Sequence, residues 1–255
     1  LCDAVDLIVA AFRKGGRLFY VGAGTSGRIG ILDASECPPT YGTDPEMVQG
    51  IIAGGPQAVL SAVEGAEDDE ELGASEMDAR AVCERDVVVG IAASGRTPFV
   101  LGAMKRARKL GAVVIGVCNN YGTPMVPLAH VMLEAVVGPE VILGSTRMKS
   151  GTAQKLILNI LTTTSMIQLG KVYRNLMVDL QPTNEKLVFR SKRIIQMATE
   201  ADDATVERAF QESGGHVKSA IIMIMAGVCF EEAQRLLERH DGKVRAALDG
   251  MQPRE

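Results

Sequence analysis

The chain has 255 residues, 47% apolar and 23% charged, with a formal net charge of −4. That length supports one or two domains and a full hydrophobic core. The charge excludes a broad polyanion-binding surface, so nucleic acid is not an expected partner, and 4% aromatics with no Trp leave few platforms for stacking bases.

Residues 2–14 carry apolar side chains at helical spacing and stop at Gly15-Gly16. RLFYVG at 17–22 reads as a buried strand running into GAGTSG, with a helix predicted over 26–36 and ended by Pro38-Pro39. MVQGIIAGG at 47–55 is a second strand, QAVLSAVEG at 57–65 a short helix, and 70–84 a polar helix. DVVVGIAA at 86–93 is the clearest strand, and a helix to about residue 110 follows it. AVVIGVC at 112–118 and AHVMLEAVV at 129–137 complete five strands. Continuous apolar strands alternating with helices predict a parallel sheet covered on both faces.

A long helix over 146–169, apolar round most of its circumference, reads as a central or interface helix. A connector over 170–182 ends in Gln181-Pro182, and a helix follows at 184–198. The C-terminal segment repeats itself: AFQESGGHVKSAI aligns with LLERHDGKVRAAL, Gly215 falling on Gly242, Val217 on Val244 and Ala220 on Ala247. Each copy reads helix, Gly turn, helix, with the Gly at the left-handed position past a helix end. The pattern resembles ubiquitin-associated three-helix modules, and a structural cap is its expected role. The predicted domains are 1–182 and 183–255.

Five scattered cysteines without a C-x-x-C pair predict reduced thiols in a cytoplasmic protein. Three isolated histidines make a zinc site unexpected. No signal peptide and no apolar run long enough to span a bilayer is visible, so no membrane is an expected partner. The chain opens on Leu rather than Met, which predicts further residues ahead of it.

Four segments can carry chemistry. Gly22-Ala23-Gly24-Thr25-Ser26-Gly27 matches the dinucleotide fingerprint, but the second strand ends in Ala53-Gly54-Gly55 with no acid for a ribose, and Arg28-Ile29 replaces the Lys-Ser/Thr of a phosphate-binding loop of the Walker type. What remains is a hydroxyl-rich turn at a helix N-terminus, which favours an anion. Ser94-Gly95-Arg96-Thr97 repeats that arrangement after the third strand. Helix capping explains either turn alone; both together, without the cofactor acid, point to a compact phosphorylated ligand. Glu36 and Glu67 each stand where a helix ends. Glu140, Ser145 and Thr146 precede the long helix, where the hydroxyls can cap it and Arg147 and Lys149 add positive charge.

GAGTSGRIGILDASECPPTYG, IAGG, AVEGAEDD, GIAASGRTPFV, STRMKSGTAQKLILN and NLMVDLQPTNEKL follow one another along the whole chain. In this order they closely resemble the N-acetylmuramic acid 6-phosphate etherases of the sugar isomerase (SIS) superfamily, to which the glucokinase regulatory protein is related. The resemblance implies an SIS-type three-layer α/β sandwich with a five-stranded parallel sheet and a small all-helical C-terminal domain. It implies a homodimer with sites near the subunit interface, an N-terminal helical arm ahead of Leu1, and no metal or organic cofactor. The implied reaction cleaves the D-lactyl ether at C3 of N-acetylmuramic acid 6-phosphate, in cell-wall amino sugar recycling, with Glu67 as base and Glu36 as acid. The implied phosphate and sugar contacts are Thr25, Ser26, Gly27, Ser94, Gly95, Arg96 and Thr97, with Glu140, Ser145, Thr146, Asn184 and Lys186 beside them. An aldose–ketose isomerase would not need an acid at the C3 oxygen, and a tandem-domain sensor of the regulatory type would not fit in 255 residues.

Overall fold

The computed structural model describes residues 1–180, 182 and 184–250. Gln181, read from the sequence as closing the connector, lies outside them. The chain divides into two compact units, residues 1–37 with 44–165, and residues 38–43 with the described part of 166–255. The boundary falls inside a helix, whereas the sequence analysis places it in the connector.

The first unit is an α/β sandwich. Helix α1 (Cys2–Arg13) precedes β1 (Leu18–Gly22), α2 (Gly24–Tyr41), β2 (Val48–Ile52), the single-turn α3 (Gln57–Leu60), a 3-10 turn at Ala66–Asp68 and α4 (Glu70–Ala79). Then come β3 (Val87–Ile91), α5 (Pro98–Lys109), β4 (Val113–Cys118), β5 (Val131–Glu134) and α6 (Lys149–Gln168), whose last residues belong to the second unit. All five strands run parallel in the order β2-β1-β3-β4-β5. Every residue of β1 and β3 is buried, as expected for strands covered on both faces. Arg17 and Asp86 fasten the starts of these two strands with guanidinium–carboxylate contacts of 2.8 and 3.2 Å, and the Arg17 and Cys83 N–H groups donate to the same carboxylate.

Three sequence expectations are corrected here. Helix α2 does not end at the prolines but continues to Tyr41. Both prolines fall in its last two turns, and the Gly42 N–H donates to Pro38 O at 2.9 Å, so the ladder resumes after the two missing donors. The helix expected over 57–65 is only one turn, because the chain turns extended at Ser61. The polar helix stops at Ala79, short of residue 84, where Ala81 takes a positive φ.

The second unit holds a two-residue antiparallel ribbon, β6 (Val172–Tyr173) with β7 (Leu176–Met177), which the sequence analysis reads only as connector. It continues with α7 (Glu185–Thr199), α8 (Asp203–Glu212), α9 (Val217–Ala226), α10 (Phe230–Arg239) and α11 (Val244–Asp249). The repeat is visible in the packing: Val217, Ala220, Val244 and Ala247 all lie in one core, and Gly215 and Gly242 both have positive φ. Within this unit Asp179 sits between Lys171 and Lys218 at 2.8 and 3.0 Å, and Lys171 also donates to Tyr41 O at the end of α2. No helix among the described residues is long and apolar enough to cross a membrane.

Candidate active site

Strand order decides where a ligand can sit. The chain leaves β1 toward β2 on one side of the sheet and leaves β3 toward β4 on the other, so the β1–β3 pair is the topological switch point, the usual ligand crevice of open α/β sheets. Gly22 and Ile91, the last residues of the two strands, stand in register. The turns that follow them are the two hydroxyl-rich segments singled out from sequence.

A cleft of about 570 Å3 opens there, lined by Thr25 and Ser26 from the first turn, Ser94, Arg96 and Thr97 from the second, Thr146, and the carboxylates Glu67 and Asp68. The second turn is not an ordinary cap. Thr97 precedes α5 but makes no side-chain capping bond, and Pro98 occupies the first helical position. The Ser94 hydroxyl accepts the Arg96 N–H at 3.2 Å. The unbonded amides of this first helical turn and the Thr97 hydroxyl therefore remain for an anion. Gly95 is buried at φ +66°, where a Cβ would meet Thr123, and a Cβ on Gly27 would meet Ile52 and the Gly22 carbonyl. These two glycines act through close backbone approach.

Ser26 is 8% exposed, and its hydroxyl donates to Gln154 Oε1 at 2.8 Å. Gln154 Nε2 donates to Asn119 Oδ1 at 2.9 Å, and Asn119 Nδ2 donates to Ala135 O. The chain of donors ties the start of α2 to α6 and to the segment after β4. Sequence reasoning missed Gln154, whose only signal is a polar residue inside an apolar helix.

Other expected site residues go elsewhere. Glu140 takes the Lys149 and Ser150 N–H groups at 3.0 and 2.9 Å, so its carboxylate caps α6 in place of Ser145 or Thr146. Those backbone donors hold its carboxyl below the usual range. Ser145 is not part of the cleft lining, whereas Thr146 is. Asn184 caps α7 through the Leu187 N–H at 2.9 Å, and Lys186 is exposed in the first turn of that helix; both belong to the second unit.

The two glutamates are not brought together. Glu67 stands on the 3-10 turn that follows Gly65, exposed at the cleft rim. Glu36 is exposed on α2, about 18 Å further along the helix than Gly24 at 1.5 Å per residue. It lines neither the cleft nor a smaller cavity of about 200 Å3 beside Glu67.

The chain is 59% identical to the N-acetylmuramic acid 6-phosphate etherase of Aeromonas hydrophila over 94% of its own length and 80% of that protein. It is 55% identical to the Photorhabdus laumondii protein of the same name over 98% of its length and 83% of that one. The chain belongs to the N-acetylmuramic acid 6-phosphate etherase family. Residues 69–164 match the SIS domain, and residues 1–108 match the glucokinase regulatory protein N-terminal SIS domain. A crystal structure from Bacteroides fragilis, ascribed to a phosphosugar isomerase involved in capsule formation, shares the fold. It superposes with a TM-score of 0.50 over 68% of this chain and 81% of its own, at 22% identity.

Proposed function

We propose that the chain cleaves the D-lactyl ether of N-acetylmuramic acid 6-phosphate to N-acetylglucosamine 6-phosphate and D-lactate, with Glu67 as the base. The observation that carries this reading is the position of Glu67 on the rim of a hydroxyl-lined cleft at the switch point. Thr25, Ser26, Ser94 and Thr97 suit the phosphate, held by hydroxyls and helix N-terminal amides. Phosphate binding holds the reacting carbons near Glu67 and supplies orientation at a distance from the chemistry.

In the open-chain sugar the C1 aldehyde acidifies the C2 hydrogen. Glu67 takes that proton, and the enolate expels the C3 oxygen as an acid protonates it. Lactate leaves, water adds to C3 of the unsaturated aldehyde, and C2 regains a proton. Each acid or base role contributes about 100- to 10,000-fold in rate.

The acid is Glu36, delivered by a second copy of the chain. Glu36 shares an exposed face of α2 with Leu32, one turn away. Leu156 and Ile160 on α6 and Val141 to Leu143 ahead of it are also exposed, Leu143 at 93%. A homodimer burying such side chains would explain why they are apolar. The free state of all five cysteines supports a reducing, cytoplasmic setting.

The test is incubation with N-acetylmuramic acid 6-phosphate in 18O-water, read by mass spectrometry. D-lactate release with one 18O at C3 of the sugar product is expected. Absence of lactate from the folded protein carrying the family's N-terminal arm overturns the reading.

A further inference from the structure

Beside the hydroxyl-lined cleft lies the smaller cavity of about 200 Å3, and the two share Ala23, Gly24 and Glu67. Its chemistry is different. Four alanines line it, Ala23, Ala53, Ala58 and Ala62, with Val63 and one cation, Arg28. The Arg28 guanidinium is held in place: Nε donates to Val59 O at 2.9 Å and Nη2 to Ala58 O at 2.8 Å. Those bonds face the head toward α3 and leave Nη1 with no hydrogen bond to a described residue.

We propose that this cavity is the subsite for the lactyl group, with the alanines around its methyl and Arg28 paired with its carboxylate. The proposal rests on the etherase reading above and adds the residues that select the ether. The volume suits it, being roughly seven water volumes of about 30 Å3 for a group of few heavy atoms. The connectivity of the substrate suits it too. The C2–H that the base removes is beside C3, which carries the ether, and C4 to C6 lead from C3 to the phosphate; Glu67 lines both cavities, so the carboxylate stands beside both subsites. A fixed guanidinium binds a carboxylate with little loss of side-chain freedom. Glu64, the remaining carboxylate of the lining, is exposed, so water screens it from the bound anion.

The experiment compares three ethers at O3 of N-acetylglucosamine 6-phosphate: D-lactyl, carboxymethyl and methyl. The leaving oxygen is an alkoxide in each, and the methyl ether lacks the carboxylate and most of the bulk. Wild type should prefer the two acids. Arg28→Gln should lower kcat/KM for both acids by about tenfold or more and for the methyl ether by less than about threefold. Because that substitution also touches the carbonyls of α3, Ala62→Leu, at an exposed position, provides an independent probe. It should fill the cavity and produce the same split. Parallel losses on all three ethers, or no loss on the acids in either variant, overturn the subsite while leaving the etherase reading intact. Failure of wild type to cleave any of the three overturns both.

Discussion

Ser26 donates to Gln154 across 128 positions of sequence, at 2.8 Å, and both side chains are buried. The bond joins the hydroxyl-rich turn at the start of α2 to the second turn of α6. Gln154 is 1% exposed and uses both ends of its amide. Gln154→Leu leaves the Asn119 carbonyl oxygen without this donor and the Ser26 hydroxyl without its acceptor. We expect a loss of about 1–3 kcal/mol in stability and a KM raised more than kcat is lowered. Denaturant titration and steady-state kinetics on the same preparation check both.

Delivery of Glu36 from a second copy has a signature that mixing reveals. Glu36→Gln and Glu67→Gln homodimers should each lose about 100- to 10,000-fold in kcat. Co-refolding them in equal amounts makes about half the dimers hybrid, each with one intact site, so about a quarter of wild-type activity should return. A site built from one chain returns none, and that result would place Glu36 and Glu67 on the same subunit's substrate.

Asp33 is buried between α2 and α6, accepting from Asn159 Nδ2 at 2.6 Å and Thr162 Oγ1 at 3.3 Å. Its second oxygen and the Tyr20 hydroxyl are both buried without a hydrogen bond of ordinary geometry. Burial pushes its carboxyl up, against the donors from Asn159 and Thr162. A carboxyl raised in the folded state stabilises most below its unfolded value of about 3.9, and that contribution fades as pH rises through the folded value. Asp33→Asn keeps an oxygen for both donors and removes the charge. Its stability should therefore fall less than wild type's as pH rises from the unfolded value of about 3.9 to neutrality, as thermal melts across that range will show.

Asp86 runs the other way. Burial pushes its carboxyl up, but the Arg17 guanidinium and the Cys83 and Arg17 N–H groups outweigh this and hold it below the usual range. Its contribution is therefore present above the unfolded value of about 3.9 and is lost as pH falls through the folded value. Asp86→Ala should cost about 1–3 kcal/mol at neutral pH, with the difference from wild type shrinking in acid. Urea titrations at pH 7 and pH 3.5 measure it. An equal difference at both pH values would mean that the lost contacts, not the charge, account for the effect.

Most of the framework is legible in the sequence because it is local. The continuous apolar runs at 18–22, 87–91 and 113–118 announce strands, and the glycine turns after the first two announce candidate ligand positions. The errors came where local rules compete with packing. Pro38 and Pro39 break a helix in isolation, yet α2 passes through them. Ser145 and Thr146 are good capping residues, yet the Glu140 carboxylate reaches the free N–H groups first.

The sequence by itself determined the family, the order of elements, the two hydroxyl-rich turns and the two glutamates. Only the tertiary structure decided that β1 and β3 are neighbours, so that those turns face one cleft, and that Glu67 reaches it while Glu36 does not. It also supplied Gln154 and Arg28 as partners of the site. The physical reason is sequence separation. Periodicity reports which face of an element is buried, but which elements meet depends on strand order and helix packing, and those contacts join residues far apart in sequence, 69 positions for the β1–β3 register and 128 for Ser26 and Gln154.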